Sequence, residues 1–395
     1  MILGEPTPKV KRLRIIPSYP CDSHFFLYSG AMSLRCGIVG LPNVGKSTIF
    51  NAMTAAGAAA ENYPFCTIEP NIGVVPVPDE RLDKIAAIFK PQKLTPTSIE
   101  FVDIAGLVKG ASQGEGLGNQ FLGHIRSVDA IAHIVRCFED PDVVHVHGAI
   151  DPLRDIEVID TELALADLES VTQRIQKIEK KAKTGDKEAA YLLPIYQKVQ
   201  QGLNEGKPVR SLGLTDEEKG GIVDLFLITG KPVLYVANVS EKDVSRPPPA
   251  IEVIQGHAQK EGAEVVMISG KVEAEISELS LEERSEFLKE LGLKESGLNQ
   301  LARVGYKLLG LITFFTAGEK EVRAWTITRG TKAPQAAGVI HSDFEKGFIR
   351  AECYHYDDLI ALGSEAKVKE AGKMRLEGKD YVVQDGDVLF FRFNV

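Results

Sequence analysis

From Leu34 onward, short apolar runs alternate with polar-apolar stretches long enough to form helices. Strands are predicted at Leu34–Val39, Ile72–Val75, Ile99–Val102, Ala130–Val135, Val233–Ala237 and Val265–Ile268. Most of these runs end on turn-forming or chemically active residues. That is the pattern of βα units, which build a mainly parallel sheet covered by helices.

The rhythm breaks between Arg136 and Lys231. In that interval Leu168, Val171, Ile175, Ile178 and Ala182 step by three and four among charged neighbours, and Leu192, Ile195, Val199 and Leu203 repeat the spacing. Thr184-Gly185-Asp186 divides the two series with a turn. An antiparallel helical hairpin over 154–227 is therefore expected, inserted into an α/β domain made of 32–153 and 228–300. Its apolar stripes read as the hairpin's own core. A helical stretch follows Ser280. Beyond about Leu309 the texture changes again: Trp325, Phe344, Phe348, Tyr381, Phe390, Phe391 and Phe393 lie in short alternating runs with turns such as Asp385-Gly386-Asp387. These predict a small mixed-sheet domain over 305–395.

Composition narrows the class. With 395 residues, 44% apolar and 26% charged, the chain has material for two or three packed domains. A net charge of −9 gives no whole-chain attraction to DNA or to an anionic membrane. No apolar run approaches the ~18 residues of a membrane span. The five cysteines (Cys21, Cys36, Cys66, Cys137 and Cys353) form no CxxC pair, which argues against a zinc site or disulfide framework and for a reducing, cytoplasmic setting. Residues 1–31 read as a disordered extension or a misplaced start, since Met32 directly precedes the first predicted strand and the basic residues Lys9 to Arg14 lack a following apolar stretch.

The chemistry is concentrated after the first strand. Gly40-Leu41-Pro42-Asn43-Val44-Gly45-Lys46-Ser47 fits GxxxxGK[ST] between a strand and a helix-favouring segment. Such a loop curls its backbone N–H groups around phosphate oxygens, its Lys reaches the β- and γ-phosphates, and its Ser hydroxyl ligates Mg2+. Asp103-Ile104-Ala105-Gly106 closes the third predicted strand. There Asp103 would hold Mg2+ through a water and the Gly106 amide would sense the γ-phosphate. Thr67, in Tyr63–Thr67 between the two motifs, is the candidate switch threonine on Mg2+.

Base recognition departs from the guanine-reading pattern Asn-Lys-x-Asp. The corresponding residues are Asn238-Val239-Ser240-Glu241, which lack the Lys and carry a carboxylate one methylene too long. Asn238 offers a donor and an acceptor to an amino-purine, which favours ATP over GTP, and Ser269-Gly270-Lys271 would back the base. The residue after Gly106 is Leu107, which cannot orient the attacking water as a Gln would. Among the histidines that follow, His133 sits inside an apolar strand and reads as a satisfied core residue. His145 and His147 lie in the loop-like stretch Glu139–Gly148, and the residues alone do not choose between them.

Taken together, Cys36–Ser47, Tyr63–Asn71, Asp103–Gln120, Asn238–Glu241 and Ala324–Arg350 resemble the YchF/Obg-like ATPase family, over about Met32 to Val395. The resemblance implies a P-loop NTPase G-domain, a coiled-coil insertion and a C-terminal β-grasp (TGS) domain. It implies ATP hydrolysis in preference to GTP with Mg2+, and association with the ribosome, its large subunit, in translation or stress responses. RNA contact through the TGS domain is a further expectation. Carried over by position, the phosphate loop is Asn43, Val44, Gly45, Lys46, Ser47 and Thr48, the Mg2+ ligands are Ser47 and Thr67, and the base contacts are Asn238 and Val239. The family's catalytic histidine falls on His145. Asn43 takes the position that binds K+ in cation-activated relatives. Two other readings remain: an Obg-type GTPase, and an interaction module whose nucleotide only stabilises a docking surface.

Overall fold

The computed structural model describes residues 34–58, 71–104, 117–140 and 150–394. Its strands are β1 (Arg35–Val39), β2 (Ile72–Pro76), β3 (Lys93–Thr95), β4 (Ser98–Asp103), β5 (Ala130–Arg136), β6 (Val233–Asn238), β7 (Glu264–Ile268), β8 (Leu311–Ala317), β9 (Glu321–Thr328), β10 (Phe348–His355), β11 (Arg375–Glu377) and β12 (Asp387–Phe393). They form two sheets, ordered β2-β4-β1-β5-β6-β7 and β11-β10-β12-β8-β9-β3. In the first, β4, β1, β5, β6 and β7 are parallel and only the edge strand β2 runs antiparallel. Every residue of β5 and β6 is buried, as expected of central strands covered on both faces. The second sheet is mixed.

Among the described residues ten α-helices precede β8: α1 (Lys46–Ala58), α2 (Glu80–Phe89), α3 (Leu117–Ser127), α4 (Pro152–Lys183), α5 (Lys187–Asn204), α6 (Asp216–Ile222), α7 (Pro249–Glu261), α8 (Gly270–Glu278), α9 (Leu281–Glu290) and α10 (Gly297–Leu308). The hairpin is α4 and α5. Asp151 caps α4 by accepting the Arg154 N–H (3.2 Å), with Pro152 in the first turn, and Asp186 caps α5 by accepting the Ala189 N–H (3.0 Å). Gly185 makes the turn with φ of 89°, a left-handed value that glycine adopts without strain. Val171, Ile175 and Ile178 pack on Ile195, Tyr196, Val199 and Leu203, so the three-and-four spacing marks the hairpin's own core.

Helix α4 serves two bodies at once. Its first half buries Ile156, Ile159, Leu163 and Ala166 in the α/β core, and its second half forms the hairpin. At 32 residues it is about 48 Å long at ~1.5 Å per residue. Where the chain returns from the hairpin, buried Asp167 accepts the Ile228 and Thr229 N–H groups (2.9 and 2.7 Å), fixing the root.

The C-terminal sheet is not independent of the first. Between β2 and β4 the chain makes an excursion that the apolar pattern does not predict. Leu82 and Ile85 of α2 are buried with Phe315, Val322 and Ala324, and β3 pairs in parallel with β9. Arg81 donates to Asp79 and to Asp385, the latter at 2.7 Å. No helix among the described residues is long and apolar enough to cross a membrane.

Candidate nucleotide site

The loop from Gly40 to Gly45 joins β1 to α1 at the carboxyl edge of the parallel sheet. β1 lies between β4 and β5, so the chain leaves β1 where neighbouring connections diverge, the usual place for a ligand crevice in open α/β sheets. Gly40 passes over β5 closely enough that a Cβ there would lie 2.8 Å from the Ile134 carbonyl oxygen. Gly45 has φ of 88°, and a Cβ on it would collide with the Asn238 amide nitrogen. Asn43 is also left-handed, at φ 64°. Positive φ at alternate residues is how a loop turns successive N–H groups to one side and makes a concave anion seat.

Lys46 and Ser47 open α1, and the Lys46 ammonium is ion-paired with the Asp103 carboxylate at the end of β4. The Asp103 N–H donates to the Asn71 carbonyl (2.8 Å), which fastens the β4 end to the start of β2. Ser47 and Thr48 are exposed on the first turn of α1. The phosphate-loop residues and Asp103 are thus brought together. Thr67, Gly106, Leu107, His145 and His147 lie outside the described residues.

At the base-side strand end, buried Asn238 donates from Nδ2 to the Val44 carbonyl (2.8 Å) and accepts the Gly270 N–H (3.0 Å). Each end already holds a main-chain partner, leaving one N–H and one lone pair. Val239 is buried, and its N–H is donated to Ile268 (2.8 Å). Ser269 is buried with no hydrogen-bond partner for its hydroxyl. Glu241 is ion-paired to Lys271 (3.0 Å), which ties the two loops that would flank a base.

The expectation that His133 is a satisfied core residue holds for its burial and not for its hydrogen bonding. His133 is buried in β5 with its ring 5.6 Å from Tyr235, but Nδ1 has no partner, and burial pushes its pKa down to about 3. It is a neutral core residue, incompletely satisfied. Sequence reasoning also passed over Arg136. An Arg closing an apolar strand reads as a solvated end, yet this one is 2% exposed beneath the phosphate loop, donating to the Asn43 carbonyl (3.2 Å).

Among the described residues one further group has metal-like spacing: Asp160 on α4 with His257 and Glu261 on α7. Arg210 already occupies it, donating to Glu261 from Nε at 2.8 Å and approaching Asp160 at 3.6 Å. Burial lifts Asp160 to about 6. This cluster binds the hairpin root to α7 as an ion-pair network.

The chain is similar to known proteins over most of its length. A family model described as "50S ribosome-binding GTPase" matches residues 35–192, and the YchF-GTPase C-terminal family, described as a protein of unknown function, matches residues 311–394. The chain is 57% identical over 366 residues to the "Ribosome-binding ATPase YchF" of Bacillus subtilis, and 59% identical over 364 residues to that of Haemophilus influenzae. Each alignment covers 92% of this chain and 100% of the relative. Among solved structures, the Schizosaccharomyces pombe YchF GTPase superposes with a TM-score of 0.84 at 41% identity, covering 92% of this chain and 99% of that one.

Proposed function

The chain belongs to the YchF family, and from that premise we propose that it is a ribosome-binding ATPase whose site is Gly40–Ser47 with Asp103. The observation that carries the reading is the placement of the Lys46 ammonium against the Asp103 carboxylate at the mouth of a phosphate loop. The main-chain N–H groups of Asn43 to Thr48 cradle the phosphates, and Lys46 exchanges Asp103 for β- and γ-phosphate oxygens. Ser47, Thr67 and, through water, Asp103 are the hard oxygen donors that Mg2+ takes. The ion supplies neutralisation of developing phosphate charge, and Gly106 senses the γ-phosphate. His145 accepts a hydrogen bond from the attacking water, in place of the group that Leu107 lacks. K+ at Asn43 belongs to the same reading, tested by turnover in KCl against NaCl.

ATP is preferred over GTP because Asn238–Glu241 lacks the Lys of the guanine-reading pattern and its carboxylate, Glu241, is one methylene too long and ion-paired with Lys271. Asn238, Val239 and Ser269 line the base. The domain division is proposed as a G-domain of 32–153 and 228–300, a hairpin of 154–227 whose first helix is rooted in the G-domain core, and a TGS domain of 305–395 to which α2 and β3 are joined. Ribosome engagement, through the large subunit, places the protein in the cytoplasm. Although the chain is acidic overall, exposed Arg174, Lys177, Lys180 and Lys181 outnumber Asp186 and Glu188 in the lining of a groove of about 740 Å3 at the hairpin's end. Such a surface suits RNA phosphates, as does the RNA role proposed for the TGS domain. ATP turnover with and without purified ribosomes tests the proposal: stimulation supports a ribosome-coupled ATPase, and a rate indifferent to ribosomes opposes it.

A further inference from the structure

Arg136 and Asn238 end the neighbouring strands β5 and β6 and are register partners across them. Each sends a donor into the phosphate loop. Asn238 Nδ2 donates to the Val44 carbonyl at 2.8 Å, and Arg136 Nη1 donates to the Asn43 carbonyl at 3.2 Å. Two consecutive carbonyls are therefore drawn down toward the strand ends. In a trans peptide the C=O and the following N–H point in opposite directions. Holding the Asn43 oxygen turns the Val44 N–H outward, and holding the Val44 oxygen does the same for the Gly45 N–H.

The guanidinium is itself fixed for this task. Its Nε donates to the Phe138 carbonyl (3.1 Å), and its plane lies over the Phe138 ring at 4.5 Å from the centroid. The planar fork serves two carbonyls from one buried position, which an ammonium on a shorter stem does less well. The left-handed φ of 64° at Asn43 is a conformation that costs a non-glycine residue energy unless its surroundings hold it.

We infer that Arg136 is a positioning residue for nucleotide binding: it holds the Asn43 peptide so that the phosphate loop presents its N–H groups before nucleotide arrives. This rests on the reading of Gly40–Ser47 as the phosphate site. Arg136 touches no reacting atom in this account. Its effect is therefore uniform for every nucleotide that places a β-phosphate in the loop, and it appears in binding rather than in the chemical step.

The test measures Mg2+-ATP and Mg2+-ADP affinity, KM and kcat for wild type, Arg136→Met, Phe138→Leu and Lys46→Ala in the full chain. Arg136→Met keeps an unbranched apolar stem in the buried position and removes the guanidinium with its donors. It is expected to weaken ATP and ADP by the same factor, about tenfold, with KM raised and kcat nearly unchanged. Phe138→Leu, which removes the stacking plane, is expected to weaken both several-fold and carries the test if Arg136→Met does not fold. Unchanged nucleotide affinity in a folded Arg136→Met or, failing that, in Phe138→Leu, with only melting temperature lowered, overturns the inference and leaves Arg136 a structural residue. Unchanged affinity in Lys46→Ala would instead overturn the phosphate-site reading.

Discussion

The Lys46 ammonium at the first turn of α1 and the Asp103 carboxylate at the end of β4 form an ion pair across the mouth of the phosphate loop. The pair joins two motifs that are distant in sequence; in the proposed reading phosphate oxygens would replace Asp103 on Lys46, and Asp103 would hold Mg2+ through a water. Lys46→Ala removes a charge-assisted contact to the phosphates. It is expected to abolish turnover and weaken ATP binding by about 1.5–3 kcal/mol. Wild-type hydrolysis by a pure preparation of this variant would refute the site.

A buried carboxyl makes stability depend on pH near neutrality. Glu273 of α8 accepts the Gly297 N–H (2.7 Å) at the start of α10, and its second oxygen has no partner. Burial pushes its pKa up from 4.5 to about 7, outweighing the hydrogen bonds that favour the anion. Because the folded value is the higher one, its stabilising contribution is complete below about pH 4.5 and is lost as pH rises through about 7. Melting of wild type against Glu273→Gln between pH 5 and 8 should show wild type losing on the order of 3 kcal/mol relative to the variant. A difference that does not change with pH would exclude Glu273 as the titrating group.

The excursion between β2 and β4 ties the C-terminal sheet to the strand that carries Asp103. Arg81 reaches Asp385, which also accepts the Thr313 N–H (2.9 Å). Both side chains are partly exposed, 28% and 45%, so solvent screens the pair. Arg81→Ala should cost about 1 kcal/mol. Asp385→Ala should cost about 2 kcal/mol, because a backbone N–H also loses its acceptor. Urea unfolding of both single variants and the double variant measures the coupling, and strictly additive losses would mean that the two groups do not interact in solution.

Much of this was legible in the chain. The helical hairpin announced itself because Val171, Ile175, Ile178 and Val199 must face one another and therefore repeat every three or four residues. The phosphate loop was legible because its glycines answer local demands, such as the positive φ of Gly45. What stayed hidden depends on partners far along the sequence. Lys93–Thr95 is too short to show a period, and becomes a strand only through pairing with Glu321–Arg323. Arg136 resembles any polar strand end until the fold puts Asn43 above it. The two main-chain hydrogen bonds of Asn238 likewise reach Val44 and Gly270, which no local pattern connects to it.

Water activation is proposed for His145, and Leu107 is why some group must supply it. A neutral imidazole, dominant above its ordinary pKa near 6.5, accepts a hydrogen bond from the attacking water. His145→Ala should cut the single-turnover rate roughly 10- to 10^4-fold and leave ATP affinity nearly unchanged. If the rate holds and only melting temperature falls, His145 is a packing residue.

The central claim is that this phosphate loop serves ATP, and side-by-side titration of ATP and GTP, with and without ribosomes, tests it most directly. Glu241, one methylene longer than the Asp of the guanine-reading pattern and ion-paired with Lys271, predicts that ATP binds at least as tightly as GTP. Placing Lys at Val239 and Asp at Glu241 together should then move selectivity toward GTP. A wild-type preference for GTP of tenfold or more, about 1.4 kcal/mol, would contradict the account and make the chain a GTPase.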